Sequence, residues 1–191
     1  MAPQLYLITP QTADPARFPA MLMGVLSAAS FSALLVSRGE RTAEDYARLA
    51  AEMINIGQGA GCAVLLEDDV ALARRLGADG VHVTGGAEDV AAALAVLKPD
   101  MIVGAGPVGS RHDAMTMGEL GVDYLFFGSG ELAQWWAETF EIPAVLSLPA
   151  ATAEDADARG AEFAALSDSV WSAPAPAQAA QAIAAGMQEA R

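Results

Sequence analysis

The residues that could do chemistry gather at the ends of apolar runs. Glu67, Asp68 and Asp69 follow the run CAVLL at 62–66. Asp68 could be a ligand for a hard divalent cation such as Mg²⁺, which takes one or two carboxylates and completes its shell with water and phosphate oxygens. Equally, Asp68 could cap the next helix, VALARRL, with Asp69 favouring the positive end of its dipole. His82, in the run GVHV, is either a ligand or acid/base group, or an interior residue with a satisfied hydrogen bond. Beyond it, TGGAED brings Glu88 and Asp89 to a helix start, where acids are expected as caps and where Asp89 is a second candidate metal ligand. Two glycine-rich stretches, GAGPVGS with Gly104 and Gly106, and Gly128-Ser129-Gly130, each run into a helix. Glycines let backbone N–H groups approach an anion closely, so either stretch could hold a phosphate or could simply be a tight turn. Arg38, after ALLVS, could meet a phosphate or carboxylate through its two-pronged guanidinium, or be solvated.

The elements that would position these residues repeat along the chain. Apolar runs occur at 5–9, 33–37, 62–66, 80–83, 101–105, 124–128, 143–148 and 162–167. Between them, helical stretches are expected at 15–29, 42–57, 69–77, 88–97, 112–120, 131–139, 153–159 and 174–188. Continuous rather than alternating apolarity marks strands buried on both faces, as in a parallel sheet covered by helices. The alternation therefore predicts a single-domain α/β (β/α)8 barrel over 1–191, with an open doubly wound sheet as the other arrangement. RRLGADG and GELGVDY each end a helix at a glycine and enter a strand through an Asp, which fits Gly77 and Gly121 for the left-handed position after a helix. The uncharged segment 18–37 is about long enough to span a bilayer, but Pro19, Gly24 and four serines suit a buried helix followed by a buried strand better.

Composition excludes several functions. With 10 Lys and Arg against 24 Asp and Glu, the net charge is −14, which repels nucleic acid and anionic membranes. The N-terminus lacks a basic segment leading into an apolar one, and the single cysteine, Cys62, cannot form an internal disulfide, so a cytoplasmic location is the simplest expectation. No second His or Cys has metal-ligand spacing, no G-x-S-x-G occurs, and the one G-A-G does not extend into a dinucleotide fingerprint, which disfavours zinc, serine-hydrolase and NAD chemistry. Trp135 and Trp136 suit one core position and one position over a site or a subunit contact, and a homo-oligomer is left open.

The order of short segments LYLIT, LEDDVALARRLGADGVHV, IVGAG and GELGVDYLFFGSG resembles thiamine-phosphate synthase and its relative, the thiazole tautomerase. The resemblance implies a (β/α)8 barrel that couples a pyrimidine-methyl diphosphate to a thiazole phosphate, releasing diphosphate, with Mg²⁺ on the leaving group. It places Asp68 on a family metal carboxylate, and Asp89 near a second one if two extra residues are accommodated.

The departures are specific. The family's Gln-x-Arg-x-Lys on the second strand corresponds to Leu34-Leu35-Val36-Ser37-Arg38, and its Asn before the metal Asp corresponds to Glu67. The lysine expected after the sixth strand is absent, since Gly128-Ser129-Gly130 continues as Glu131-Leu132. Where a Gly-Gly cup would hold the thiazole phosphate, the chain has Pro149, which lacks an N–H donor, and Ala150, which adds a Cβ. The resemblance therefore implies either a divergent synthase or a non-catalytic paralogue that binds a small phosphorylated ligand or a protein partner.

Overall fold

In a computed structural model that describes residues 2–189, eight parallel strands close into a barrel in chain order. The strands are β1 (Gln4–Ile8), β2 (Phe31–Val36), β3 (Ala63–Glu67), β4 (Gly80–Val83), β5 (Ile102–Val108), β6 (Tyr124–Phe127), β7 (Ala144–Ser147) and β8 (Phe163–Leu166). Helices α1 (Phe18–Ala28), α2 (Ala43–Gly59), α3 (Val70–Leu76), α4 (Ala87–Leu97), α5 (Arg111–Glu119) and α6 (Gly130–Thr139) follow the first six strands. After β8 come a one-turn helix α7 (Asp168–Trp171) and the closing helix α8 (Pro176–Glu189). The expected eight strands and single domain are present, and segment 18–37 divides into α1 and β2. No helix among the described residues is long and apolar enough to cross a membrane.

One expected helix is absent. Residues 153–159 form turns, because short polar side chains capture the backbone before a helix can nucleate. The Asp155 carboxylate accepts hydrogen bonds from the Thr152 N–H (2.6 Å) and hydroxyl (2.8 Å), and Asp157 accepts from the Arg159 N–H (2.8 Å). Arg159 itself has a left-handed backbone (φ 51°). The helical turn on this side of the barrel comes later, at α7.

The apolar residues sort into two layers by strand alternation. Leu34, Val36, Val64, Leu66, Val81, Val103, Leu125 and Leu146 point outward and meet the helices. Tyr6, Ala33, Leu35, Leu65, Tyr124, Phe126, Val145 and Ala165 fill the barrel interior. Large and small residues complement one another there: a Cβ on Gly104 would lie inside the Tyr124 ring, so only glycine leaves room for that tyrosine.

The N-terminal end of the barrel is fastened by a repeated device. Asp79, just before β4, accepts from the Val64 N–H of β3 (2.7 Å). Before β6, Asp123 accepts from Val103 N–H of β5 (2.7 Å) and pairs with Lys98. Before β8, Glu162 accepts from Ala144 N–H of β7 (2.8 Å). An acid just before β4, β6 and β8 thus satisfies a donor that the strand ladder leaves over.

Candidate active site

At the opposite, C-terminal end, the strand ends and loops form three adjoining cavities. The central one, about 280 Å³, sits over the barrel interior and is lined by Thr9, Ser37, Glu67, His82, Thr84, Ser147, Ser167 and Asp168 among others. Thr84 also lines a cavity of about 500 Å³ with Asp68, Gly85 and Asp89. Ser147 also lines a third, of about 470 Å³, with Gly128, Ser129, Gly130 and Arg159. The three lie in a row, joined through Thr84 and Ser147.

Tyr46 of α2 fixes one wall. Its buried hydroxyl donates to the Val36 carbonyl (2.7 Å) and accepts from the Glu67 N–H (2.8 Å), so it holds the ends of β2 and β3 together from behind. Arg41 shapes the loop after β2 by donating to the carbonyls of Ser37, Arg38 and Pro10. The Glu67 carboxylate accepts from the Arg38 backbone N–H (2.6 Å).

The three acids that open this wall have three roles. Asp69, not Asp68, caps α3, accepting from the Leu72 N–H at 2.9 Å. Asp68 has a left-handed backbone (φ 52°), uncommon for a residue other than glycine, which turns its carboxylate across to β4. There it accepts from the Thr84 N–H (2.7 Å) and from the Thr84 hydroxyl. Asp89, in the first turn of α4, packs its carboxylate against Gly85, where a Cβ would collide with it.

Asp68 and Asp89 therefore line one cavity. Among the described residues no three His, Cys, Asp or Glu side chains gather as a metal cage. Two carboxylates beside a roomy cavity fit a Mg²⁺ that keeps most of its waters and takes phosphate oxygens, and they do not fit a protein-only site.

Arg38 does not reach the central cavity. Its guanidinium lies 3.8 Å from Asp69 and 5.7 Å from the centre of the Tyr46 ring, at the outer rim. The inward positions at the end of β2 are Leu35 and Ser37, and both line the central cavity.

The two glycine stretches differ. Gly104 and Gly106 lie within β5, which runs three residues beyond its expected end at 105, so they are not part of a loop. Gly104 makes room for Tyr124, and a Cβ on Gly106 (φ 145°) would press on the Phe126 backbone. The loop at Gly128-Ser129-Gly130 does enter a helix: Ser129 caps α6, accepting from Leu132 N–H at 3.4 Å. The first N–H groups of such a helix have no intrahelical partner. Arg159 packs its side chain over Gly130, 3.1 Å from where a Cβ would be. Strand-end reasoning missed Arg159 because it belongs to the segment expected to be helical. Ser147 ends β7, Thr84 follows β4 and Asp168 lies two residues after β8, so the same rule, applied to every strand, had the signal for them.

Buried hydroxyls and His82 form the floor. Tyr6 and Tyr124 share a hydrogen bond between their hydroxyls (2.8 Å), and the Tyr124 hydroxyl lies 2.9 Å from His82 Nδ1. Burial pushes both phenols above the usual tyrosine range, so they stay protonated. Burial likewise lowers His82 to about 4, against smaller opposing effects of Asp68 and the Gly106 backbone. At neutral pH His82 is an uncharged, satisfied interior residue.

Comparison with known proteins agrees with this arrangement. The sequence profile described as thiamine monophosphate synthase matches residues 5–169. A thiamine-phosphate synthase of Hyphomonas neptunium is 35% identical over 189 residues, covering 88% of this chain and 86% of the relative. One from Rhodospirillum centenum is 34% identical over 198 residues, covering 94% of each. Among solved structures, thiamine phosphate pyrophosphorylase from Pyrococcus furiosus superposes with a TM-score of 0.83 at 21% identity, covering 97% of this chain and 96% of that one, which bears on the fold. An eight-stranded barrel matched by that profile over most of its length, with relatives of this identity and coverage, belongs to the thiamine monophosphate synthase family.

Proposed function

We propose that this barrel binds a small phosphorylated molecule of the class on which thiamine-phosphate synthases act, and that its capacity for the diphosphate-releasing coupling is low. The carrying observation is that Arg159, the start of α6 and the Gly128–Gly130 loop line one cavity, which opens through Ser147 to the centre of the barrel. Helix N–H donors and a guanidinium are the two groups that bind a phosphate best. Glu131, Asp155 and Asp157 share that rim, and Arg159 lies 4.0 Å from Asp157, so the acids weaken the hold of the site on any phosphate and most of all on a diphosphate. Against efficient coupling stand the lack of the family lysine after β6, the rim position of Arg38 and its engagement with Asp69. A leaving diphosphate accumulates negative charge in the transition state and needs cations to stabilise it.

Calorimetric titration with the thiazole phosphate and with its unphosphorylated alcohol tests the reading. The phosphate ester should bind at least roughly tenfold more tightly, and Arg159→Ala should remove most of that advantage, since charge-assisted hydrogen bonds contribute about 1.5–3 kcal/mol each. Equal affinity of ester and alcohol would overturn it.

A second reading, the full family coupling, is favoured by the shared cavity of Asp68 and Asp89. In it those two carboxylates hold Mg²⁺, which when bound neutralises charge on the departing diphosphate. Product formed from both precursors with Mg²⁺, and lost in Asp68→Asn, would decide for this reading.

A further inference from the structure

Another cavity opens at the N-terminal end of the barrel. It measures about 250 Å³ and shares no lining residue with the three cavities at the C-terminal end. Its room comes from strand pairing: Ala33 of β2 and Ala63 of β3 lie side by side and bring one methyl each, where Ile102 of β5 and Phe163 of β8 bring larger side chains. Tyr6 and Tyr124 also line it. Their hydroxyls bond to each other, and that of Tyr124 bonds to His82, which lines the central cavity. The two phenol rings therefore stand as a partition between the ends of the barrel.

The walls of this cavity belong to the core. Tyr6, Leu65 and Val145 are each 1% exposed, and Ala33 is 8% exposed. The polar groups at the rim are already engaged: the Asp123 carboxylate accepts from the Val103 N–H and pairs with Lys98, and the Gln4 side-chain oxygen accepts from the Ser32 hydroxyl. An ion entering here would lose hydration without meeting an unengaged counter-charge. Water against such walls finds few partners, and an apolar group that displaces it gains affinity. A cavity of about 150 Å³ lined by Leu, Ile and Phe is enough to hold benzene. The larger space here admits one six-membered ring with a short substituent.

We propose that the N-terminal mouth of the barrel is a separate small-molecule site, and that it takes an uncharged compound built on one aromatic ring. The ring enters beside Ala33 and Ala63 and meets the rings of Tyr124 and Phe163, for which edge-to-face and offset contacts are the favoured geometries. A hydroxyl or carbonyl on its substituent remains at the rim, within the reach of the Gln4 amide. In a barrel of this kind chemistry is confined to the C-terminal face, so occupation of this mouth is a binding function and not a step of the coupling. The proposal does not rest on the phosphate-binding reading, because the two sites lie on opposite sides of the Tyr6–Tyr124 partition.

Three probes of similar shape separate charge from fit. Benzyl alcohol, benzoate and benzylammonium are titrated into the full chain by calorimetry at pH 7, and the side-chain methyl resonances are followed by NMR in the same titrations. Benzyl alcohol should bind saturably and at least roughly tenfold more tightly than either ion, shifting the methyls of Ala33, Ala63, Leu65 and Val145 and leaving those of Thr9 and Thr84 in place. Ala63→Leu fills the cavity and should abolish that binding. Ala63→Val is a smaller filling that suits a strand, and it should weaken binding while the urea midpoint stays unchanged. Saturating inorganic phosphate should leave the benzyl alcohol affinity unchanged, so failure of this site and failure of the phosphate site are read in different titrations. The proposal is overturned if benzyl alcohol does not saturate, if the three probes bind equally, if binding survives in both Ala63 variants, or if the shifted methyls are those of the C-terminal cavities.

Discussion

The two ends of the barrel use the same residue types, Asp and Glu, for opposite purposes. At the N-terminal end Asp79, Asp123 and Glu162 each accept a hydrogen bond from the N–H of a neighbouring strand, so their charge is consumed in holding the sheet together. At the C-terminal end Glu67 and Asp168 line a cavity with a ring of hydroxyls, and Asp68 and Asp89 line the next one. Only part of their hydrogen-bonding capacity is met by the protein. The difference follows from where strands leave donors over: acids at strand starts meet ladder N–H groups, while acids at strand ends face the space between loops. Damage at the N-terminal end should therefore cost stability, and damage at the C-terminal end should cost binding.

The sharpest break in that division is expected in the barrel interior. Gly104→Ala would force the Tyr124 ring out of its place and should lower the free energy of unfolding by about 3 kcal/mol, read from urea denaturation. A loss under about 1 kcal/mol would mean that the interior yields more easily than its packing implies.

Acid should act through His82. Its folded value of about 4 lies below the ordinary 6.5, so the unfolded chain binds the proton more readily. The stability His82 supports is complete above pH 6.5 and is lost as the pH falls from there towards 4, by roughly 3 kcal/mol over that window. Urea midpoints measured from pH 7 to 4 for the protein and for His82→Gln should converge at the acid end. A constant gap would show that the imidazole's charge is not the cause.

Asp123→Ala should cost about 2 kcal/mol by leaving the Val103 N–H without its partner and Lys98 without its counter-ion, with phosphate affinity unchanged. Asn at the same position should restore part of the stability, because its side-chain oxygen can still accept from Val103. At the C-terminal end the pattern reverses. Arg159→Ala should shift stability by less than about 0.5 kcal/mol, since the side chain is half exposed, while phosphate binding weakens roughly tenfold or more. A midpoint shift as large as that of Asp123→Ala would erase the distinction between the ends.

The barrel was legible in the sequence because strand and helix signals are local. Unbroken apolar runs of four to six residues at regular intervals leave few arrangements other than a parallel barrel, and RRLGADG and GELGVDY punctuate it with a helix stop and an acid. The resemblance to thiamine-phosphate synthase rested on the same segments, which is why it held. Residues 153–159 misled for an equally local reason: the Asp155 and Asp157 carboxylates close turns on Thr152 and Arg159.

The sequence by itself determined the strand count, most of the alternation with helices, the family and most of the loops that join strand ends to helices. Only the tertiary structure decided what each residue in those loops does. Asp69 became the cap and Asp68 crossed to Thr84 because the left-handed turn at Asp68 aims its carboxylate at β4, a strand whose position no stretch near residue 68 encodes. Arg38 turned to Asp69 at the rim while Ser37 faced inward, and Gly104 gave its space to Tyr124. Arg159, from a segment that reads as helix, came to lie over Gly130. A barrel mouth brings together side chains from eight separated strand ends, so its charge and shape are sums over the whole chain, and local signals specify each term without specifying the sum.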